Sequence, residues 1–205
     1  NRHAGNGQGP EVRVDRWNGL STLKFDGQSQ YLRGSDSPAF DFGEDGTIFI
    51  VAKGDTLADW RPILSKRGMD NVGWQFRKDN TDFATFTVRG TTGNDVQSGA
   101  TPINGETHVW AMRKSQFKRT QWADGNEEYN IDDRDPVPTT TSDLVIGARD
   151  QNGISAFGGV EIGEILVFDS ALSDEQVSQM QGHLAHKWGL TGEMSNAHPY
   201  KVVPP

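Results

Sequence analysis

The sequence of 205 residues contains no cysteine. A disulfide framework and a thiolate zinc site are therefore both excluded, although a lack of cysteine does not argue against export. No apolar run approaches the roughly 20 residues of a membrane span, so membrane insertion is not expected. Basic residues are in the minority, with 20 Lys and Arg against 28 Asp and Glu. Because nucleic-acid affinity comes chiefly from cationic side chains that neutralise phosphates, nucleic acid is not expected as a partner.

The two ends of the chain have little regular pattern. Residues 1–5, NRHAG, contain neither an initiator Met nor the apolar core of a signal peptide. Residues 191–205 lack periodicity and end in prolines, which predicts an irregular tail. We therefore expect a piece of a longer protein whose first strand lies upstream of residue 1. Since all-β sandwiches often reach this length as one domain, residues 1–205 are predicted to form a single domain.

Residues 158–190 contain the clearest secondary-structure signal in the chain. Apolar residues alternate up to Asp169, as in a mostly buried strand. Ser173 and Gln176 then form a capping-box pattern that begins a helix, and Gly189 is suited to end it. The segment predicts a strand, a short turn and an amphipathic helix. Four apolar residues at helical spacing are predicted to pack into the core, namely Val177, Met180, Leu184 and Trp188.

Many short strands precede this segment, with turns about every ten residues. A hairpin is predicted over residues 20–32, around the turn Asp26-Gly27. Together with one C-terminal amphipathic helix, this pattern predicts an all-β fold, a two-sheet antiparallel β-sandwich. Further strands are predicted at residues 47–52, 63–66, 73–77, 83–89, 107–114, 117–123, 129–131 and 144–147.

Two stretches resemble a known family. EIGEILVFDSALSDEQ, at residues 161–176, resembles the closing segment of laminin-G-like domains of the concanavalin A-like superfamily. LKFDGQSQYL, at residues 23–32, is similar to the opening hairpin of such domains, and HLAHKWGL, at residues 183–190, is similar to a variant common in large secreted bacterial proteins. The resemblance implies a jelly-roll sandwich of the concanavalin A type in an exported protein, located outside the cell or on its surface.

Because the superfamily includes glycoside hydrolases and polysaccharide lyases, the resemblance also allows an active site. Hydrolases of this fold place carboxylates on alternate residues of one strand, since a period of two aims them at one face. Glu161 and Glu164 are three apart, and a regular strand would point them to opposite faces. Neither the Arg, Gln-x-His and Tyr set of the lyases nor a Gly-x-Ser-x-Gly elbow is present. The chain is therefore predicted to be non-catalytic.

Calcium needs several oxygen ligands, and two predicted loops could supply them. Asp70 and Asn71 precede one strand, and Asp150 and Gln151 follow another. These positions resemble the two loops that hold calcium in pentraxins, another branch of the superfamily. The match is partial, because Ala148-Arg149 stands where further oxygen ligands are expected. These four residues are the predicted calcium ligands, and ordinary turn residues are the alternative.

Carbohydrate binding is the second predicted chemistry, because apolar sugar faces stack on Trp and Tyr rings. Six Trp residues are many for a chain of this length. A core position is the alternative for each Trp, since Trp is highly buried on average, and Trp110 and Trp188 are assigned to the core. Trp60 is the best candidate for an exposed ring, since its neighbours Asp59 and Arg61 are charged. The predicted ligand-binding residues are Trp60, Trp74, Trp122 and Tyr129.

These observations predict a non-catalytic recognition module of an exported bacterial protein. The expected partner is a glycan or polysaccharide, with calcium as an assisting cofactor. An adhesion or protein-interaction module that binds a cell-surface protein is the alternative. A polysaccharide lyase or glycoside hydrolase is the lesser alternative, because fold resemblance fixes architecture better than function.

Overall fold

The computed structural model of the chain describes residues 2–3, 9–68, 72–90, 97–134 and 139–205. Within these ranges the chain forms mainly β-strands, with one α-helix, α1, at Asp174–Trp188. The strands are β1 (Arg2–His3), β2 (Glu11–Trp17), β3 (Leu20–Lys24), β4 (Leu32–Gly34), β5 (Asp45–Gly54), β6 (Pro62–Arg67), β7 (Gly73–Lys78), β8 (Ala84–Arg89), β9 (His108–Ser115), β10 (Lys118–Ala123), β11 (Asn126–Asp132), β12 (Leu144–Ile146), β13 (Arg149–Asp150), β14 (Ile154–Ser155) and β15 (Val160–Phe168).

The strands form two large antiparallel sheets that face each other. The six-stranded sheet has the order β1-β4-β12-β6-β7-β8, and the seven-stranded sheet has the order β11-β10-β9-β5-β15-β3-β2. Apolar residues of both sheets pack between them, as shown by Phe76 of one sheet and Trp110 of the other, whose ring centres are 5.5 Å apart. The predicted all-β sandwich with one C-terminal helix is confirmed, and so is the assignment of Trp110 to the core.

Helix α1 covers the outer face of the seven-stranded sheet and forms a second apolar cluster with it. The Ser173 side chain accepts a hydrogen bond from the Gln176 N–H, and Gly189 ends the helix in the left-handed conformation, so both predicted caps are confirmed. Val177, Leu184 and Trp188 are buried as predicted, whereas Met180 is only partly buried. Within the described ranges, no helix is long and apolar enough to cross a membrane.

The predicted hairpin over residues 20–32 is wrong, because β3 lies in the seven-stranded sheet and β4 lies in the six-stranded sheet. The turn between them crosses the sandwich. Buried Phe25 anchors the crossing in the core, and the Asp26 carboxylate accepts hydrogen bonds from the N–H groups of Gln28, Ser29 and Gln30. A turn that is capped in this way does not require its two flanking strands to pair.

The hairpin that forms instead joins β2 to β3 around Asn18-Gly19. Both residues have positive φ, 51° and 75°, as a two-residue turn of the type I′ class requires. Asn-Gly between two strands is a strong hairpin signal, so β2 could have been predicted from the sequence.

Candidate functional site

The outer face of the six-stranded sheet is lined by polar and cationic side chains. In β7, Trp74 and Phe76 point into the core, so Gln75 and Arg77 between them point outward. The register places Arg67 of β6 and Arg89 of β8 on either side of Gly73, on the same outer face. Arg149, in the small β13–β14 hairpin, lies close enough to lower the pKa values of Arg67 and Arg77. We call the layer formed by Arg67, Arg77, Arg89 and Arg149 the arginine face, in which Arg67 and Arg77 are buried.

Gly73 leaves a gap in the side-chain layer of the arginine face. Its φ is 121°, and a Cβ at this position would collide with the carbonyl oxygen of Lys66. Strands lie about 4.8 Å apart, so Arg67 and Arg89 are roughly 10 Å apart at their backbones, with no side chain between them. Arg67 and Arg89 therefore flank a buried stretch of backbone at Gly73.

The arginines of this face repel one another. Burial, followed by repulsion from Arg89, Arg77 and Arg149, lowers the pKa of Arg67 to about 9. Burial, followed by repulsion from Arg149 and Arg89, lowers the pKa of Arg77 to about 10. Burial and the charge of Arg61 lower the pKa of Arg149. These pKa values lie above neutral pH, so Arg67 and Arg77 carry positive charge on a chain whose net charge is -8.

Three of these cations form no ion pair with the described residues. In the parts of the chain that the structure describes, no carboxylate forms an ion pair with Arg77, Arg89 or Arg149, and the buried Nε atoms of Arg77 and Arg149 have no hydrogen-bond partner. Arg67 is not one of these unpaired cations, and one of its contacts is a hydrogen bond from Nη1 to Oε1 of Gln75 over 3.4 Å. An unpaired buried charge is costly.

Trp60 lies beside the arginine face, where the Arg77 Cζ atom is 4.7 Å from the centre of its ring. The side chain is 39% exposed, so the predicted exposed ring is confirmed. Its φ is 62°, and the left-handed region is uncommon for a bulky residue. Backbone strain of this kind persists where the surrounding structure enforces it, often at binding sites. Of the predicted ligand-binding residues, Trp60 is therefore the one that the structure favours.

Trp74 and Tyr129 belong to the core, which corrects their prediction as ligand-binding residues. Trp74 is 1% exposed, stacks on Phe42 with a centroid separation of 4.9 Å, and donates from Nε1 to the Phe40 carbonyl oxygen over 2.9 Å. Tyr129 is 8% exposed, and its hydroxyl donates to the Phe86 carbonyl oxygen over 3.1 Å. Burial raises the pKa of Tyr129 to about 12. Neither ring has a free face for a sugar.

Trp122 is separated from Trp60 by the thickness of the sandwich. It belongs to the cluster beneath α1 on the seven-stranded sheet, is 9% exposed, and has the Arg113 Cζ atom 5.0 Å from its ring centre. Its edge lines a cavity of about 170 Å³ together with Gln181 and His198. The predicted aromatic site does not assemble, because its four members lie in the core or on opposite sides of the molecule.

Half of the predicted calcium site, Asp70 and Asn71, lies outside the described residues. Asp150 forms an ion pair with Nη2 of Arg33 over 2.9 Å, and Gln151 lies in the β13–β14 turn. In the described structure, a guanidinium therefore occupies the position beside Asp150. Across the described ranges, no group of three His, Asp or Glu is placed to hold a metal ion. Calcium binding stays a prediction.

Glu161 and Glu164 lie on the same face of β15, contrary to the expectation from regular alternation. A bulge between Ile162 and Glu164 adds Gly163 to the strand, so that Glu161 pairs with Lys53 and Glu164 with Val51, two positions along β5. Both carboxylates face α1 and β2, on the side of the sheet away from the main core.

Neither carboxylate is prepared for acid catalysis. Burial favours a higher pKa for Glu161, but hydrogen bonds from Arg16 and Thr22 outweigh it and lower the pKa below its usual value. Burial is likewise outweighed at Glu164, whose pKa is lowered by hydrogen bonds from Lys187 and Trp188. A general acid in a glycosidase requires a raised pKa, so the pair acts as an ionised structural element.

Sequence reasoning missed the arginine face, although part of its signal was present. The strands WQFRK and ATFTVR alternate apolar and polar residues, which places Gln75, Arg77, Thr85, Thr87 and Arg89 on one face of each strand. The alternation does not reveal that these strands lie in one sheet with β6, or that the β13–β14 hairpin approaches them. Those contacts join residues that are far apart in the chain.

Comparisons with known proteins agree with the architecture. A family model described as the concanavalin A-like lectin/glucanases superfamily matches residues 26–178. A search of curated proteins found no match. Among solved structures, 279 chains match, and the three described below have identities too low to carry information on function.

Three solved structures illustrate this similarity. The Ruminococcus gnavus IT-sialidase CBM40 bound to alpha2,3 sialyllactose has a TM-score of 0.60 at 15% identity, covering 82% of this chain and 94% of that one. The binding domain of Paraclostridial Mosquitocidal Protein 1 has a TM-score of 0.68 at 12% identity, covering 87% and 47%. A third structure is of botulinum neurotoxin type C, a toxin whose cell entry is dependent upon interaction with two ganglioside molecules. It has a TM-score of 0.64 at 11% identity, covering 88% of this chain and 46% of that one. This chain thus spans about half of the two toxin structures.

Proposed function

Because the chain belongs to the concanavalin A-like lectin/glucanases superfamily, we propose that it is a non-catalytic carbohydrate-binding module of an exported protein. The observation that carries the proposal is the exposed Trp60 ring, held in a left-handed backbone conformation beside the Arg77 guanidinium. Two of the similar structures support it, since one is bound to sialyllactose and another belongs to a protein that interacts with gangliosides. Family and fold alone do not decide function, so the site residues carry the argument.

Binding at Trp60 follows from the chemistry of sugars. One face of a pyranose ring carries mostly C–H groups and packs against an aromatic ring, while its hydroxyls need hydrogen-bond partners. The Arg77 guanidinium, with Cζ 4.7 Å from the ring centre, is buried and packs against the Trp60 ring. The cation–π contact holds the Trp60 ring in place before binding, which lowers the entropy that a ligand has to remove.

The test is a glycan array followed by calorimetric titration of the glycans that bind. Trp60→Ala is expected to weaken binding at least tenfold, since stacking and burial of an aromatic anchor contribute more than 1.4 kcal/mol. Phe117→Ala is the matched control, because Phe117 is also an exposed ring, 49% exposed, with Arg134 5.3 Å from its centre. An array without binders, or equal affinity of wild type and Trp60→Ala, would contradict the proposal.

Two alternatives are outcomes of the same experiment. An empty array together with tight binding to a cell-surface protein would favour an adhesion module. Release of new sugar ends during incubation would indicate an enzyme.

Calcium is tested by repeating the titration and the thermal melt with calcium and with a chelator. With calcium at a hundredfold over its dissociation constant, binding would raise the free energy of unfolding by about 2.7 kcal/mol. Identical melts and affinities would remove calcium from the proposal.

A further inference from the structure

A cavity lies between α1, the β10–β11 turn and the C-terminal tail, on the side of the molecule away from Trp60. Its volume is about 170 Å³, and its wall includes Trp122, Val177, Ser178 and Gln181. We propose that this cavity binds the acetamido group of an N-acetylated sugar. The inference goes beyond the proposed function and does not depend on it, because the cavity and the Trp60 ring are separate sites.

The cavity has room for a small group rather than for a whole sugar ring. A cavity of about 150 Å³ holds one molecule of benzene, and the volume between α1 and the tail is close to that. An acetamido group is smaller than benzene, so it can enter while the ring that carries it stays at the mouth. Asp174 marks this mouth, since it lines the cavity and its side chain is 86% exposed.

Gln181 has a hydrogen-bond donor that the protein itself does not use. The residue lines the cavity and is 2% exposed, and its Nε2 atom is buried without a partner among the described residues. A buried donor that is left unpaired lowers the stability of the folded state. A ligand that brings an oxygen atom to this amide would remove that cost.

Ser178 supplies a second donor, because His198 fixes the direction of the hydrogen bond between them. The Tyr200 N–H donates to Nδ1 of His198 over 3.3 Å, so Nδ1 carries no proton. In the neutral ring the proton is then on Nε2, which donates to Oγ of Ser178 over 3.3 Å. Burial lowers the pKa of His198, which keeps the ring neutral at neutral pH. The Ser178 hydroxyl therefore accepts from His198 and keeps its own proton for another acceptor.

The two donors lie on the same side of α1, next to an apolar wall. Ser178 and Gln181 are three residues apart, the spacing that makes side chains neighbours on a helix. Two donors of this kind suit one carbonyl oxygen, which has two lone pairs. Val177, 2% exposed, and Trp122 provide the apolar part of the wall. An acetamido group fits both features, with its carbonyl oxygen toward the donors and its methyl group toward the wall.

A neutral acceptor is favoured over a carboxylate or a sulfate. The carboxylate of Asp174 at the mouth would repel an anion that binds there. The nearby cation Arg113 is already compensated, because its Nη1 atom pairs with Oδ1 of Asp174 over 2.7 Å. In the described part of the chain, Oδ2 of Asp174 has no partner, so it is free to accept the acetamido N–H.

The experiment titrates isotope-labelled protein with matched monosaccharides and follows binding by NMR. N-acetylglucosamine is compared with glucose, and N-acetylgalactosamine with galactose, so that the acetamido group is the difference within each pair. At least one acetylated sugar is expected to bind about fivefold or more tightly than its plain partner, because it adds a hydrogen bond and buries a methyl group. The largest shifts should fall on the side-chain amide of Gln181 and the indole N–H of Trp122. N-acetyl-lysine, which carries the same acetamido group on an amino-acid side chain, is the third kind of probe.

Gln181→Met keeps the length of the side chain and removes the donor. This variant is expected to lose the preference for acetylated sugars and to keep or raise the melting temperature, because the unpaired buried donor is gone. Ser178→Ala removes the second donor and should weaken the preference, while alanine favours the helix. Gln179→Met is the control, since it makes the same substitution at an exposed position of α1 outside the cavity.

Equal binding of acetylated and plain sugars would overturn the inference, and so would an unchanged preference in both Gln181→Met and Ser178→Ala. Tighter binding of N-acetyl-lysine than of either acetylated sugar would also overturn it, because the cavity would then suit an acetylated protein. Trp60→Ala separates the inference from the proposed function. The preference should persist in this variant even when array glycans no longer bind, and its loss there would overturn the inference.

Discussion

Glu161 and Glu164 face the same side of the seven-stranded sheet although they are three positions apart in β15, because Gly163 is the extra residue of a bulge. The bulge gives each carboxylate its own set of partners. Glu161 binds Arg16 and Thr22, which ties the edge hairpin to the sheet, and Glu164 binds Lys187 and Trp188 at the end of α1. One irregular residue thus fastens two separate elements to the same strand.

Replacement of Gly163 by Ala is expected to loosen the end of α1. A Cβ at this position would lie 2.9 Å from the ring of Trp188, whose Nε1 donates to Glu164 over 2.7 Å. The ring has to move, and overpacking of this kind costs about 1–3 kcal/mol. Denaturant unfolding monitored by tryptophan fluorescence measures the loss. Gly192→Ala serves as control, since nothing lies near its Cβ, and equal stability of the two variants would refute the bulge geometry.

Glu161→Gln is expected to destabilise the protein at neutral pH by about 2 kcal/mol, because Arg16 and Thr22 lose a charged acceptor. The pKa of Glu161 is lowered in the folded state, so its contribution is complete above the usual pKa of a Glu side chain and is lost as pH falls toward the lowered value. The difference between wild type and variant should therefore shrink in acid. Thermal melts from pH 7 to pH 3 measure it, with exposed Glu193→Gln as the neutral control.

Leu184→Ala is expected to cost about 3 kcal/mol, since Leu184 is 1% exposed beneath α1. Met180→Ala should cost clearly less, because Met180 is only partly buried, and a charge at this position is tolerated better than the sequence pattern alone indicates. Chemical denaturation of both variants gives the ranking. A larger loss for Met180→Ala would mean that the helix is rotated about its axis.

Asp26→Asn is expected to weaken the turn that carries the chain from one sheet to the other. Burial favours a higher pKa, but hydrogen bonds from Ser29, Gln28 and Gln30 hold the pKa of Asp26 at about 2. The stabilising effect is therefore present above the usual Asp value, near pH 4, and is lost as pH falls from about 4 to about 2. Melts of wild type and variant should converge over this window. Asp169→Asn, the same substitution at an exposed position, is the control.

The sequence by itself determined the elements whose causes are local. The apolar pattern of β15, the Ser173–Gln176 capping box and the Gly189 helix end all depend on residues close in sequence, and the strand, the cap and the helix end were each predicted. The count and spacing of the strands, with the laminin-G-like segments, were enough for the sandwich and its C-terminal helix.

Tertiary structure alone decided the features that join distant residues. The crossing at Asp26 depends on which sheet each strand enters, and the common face of Glu161 and Glu164 depends on a bulge set by pairing with β5. The arginine face combines β6, β7, β8 and the β13–β14 hairpin, and Trp60 joins it through Arg77. Periodicity specifies which way a side chain points along its own strand, whereas the site depends on which strands become neighbours, and that is fixed by packing across the whole chain.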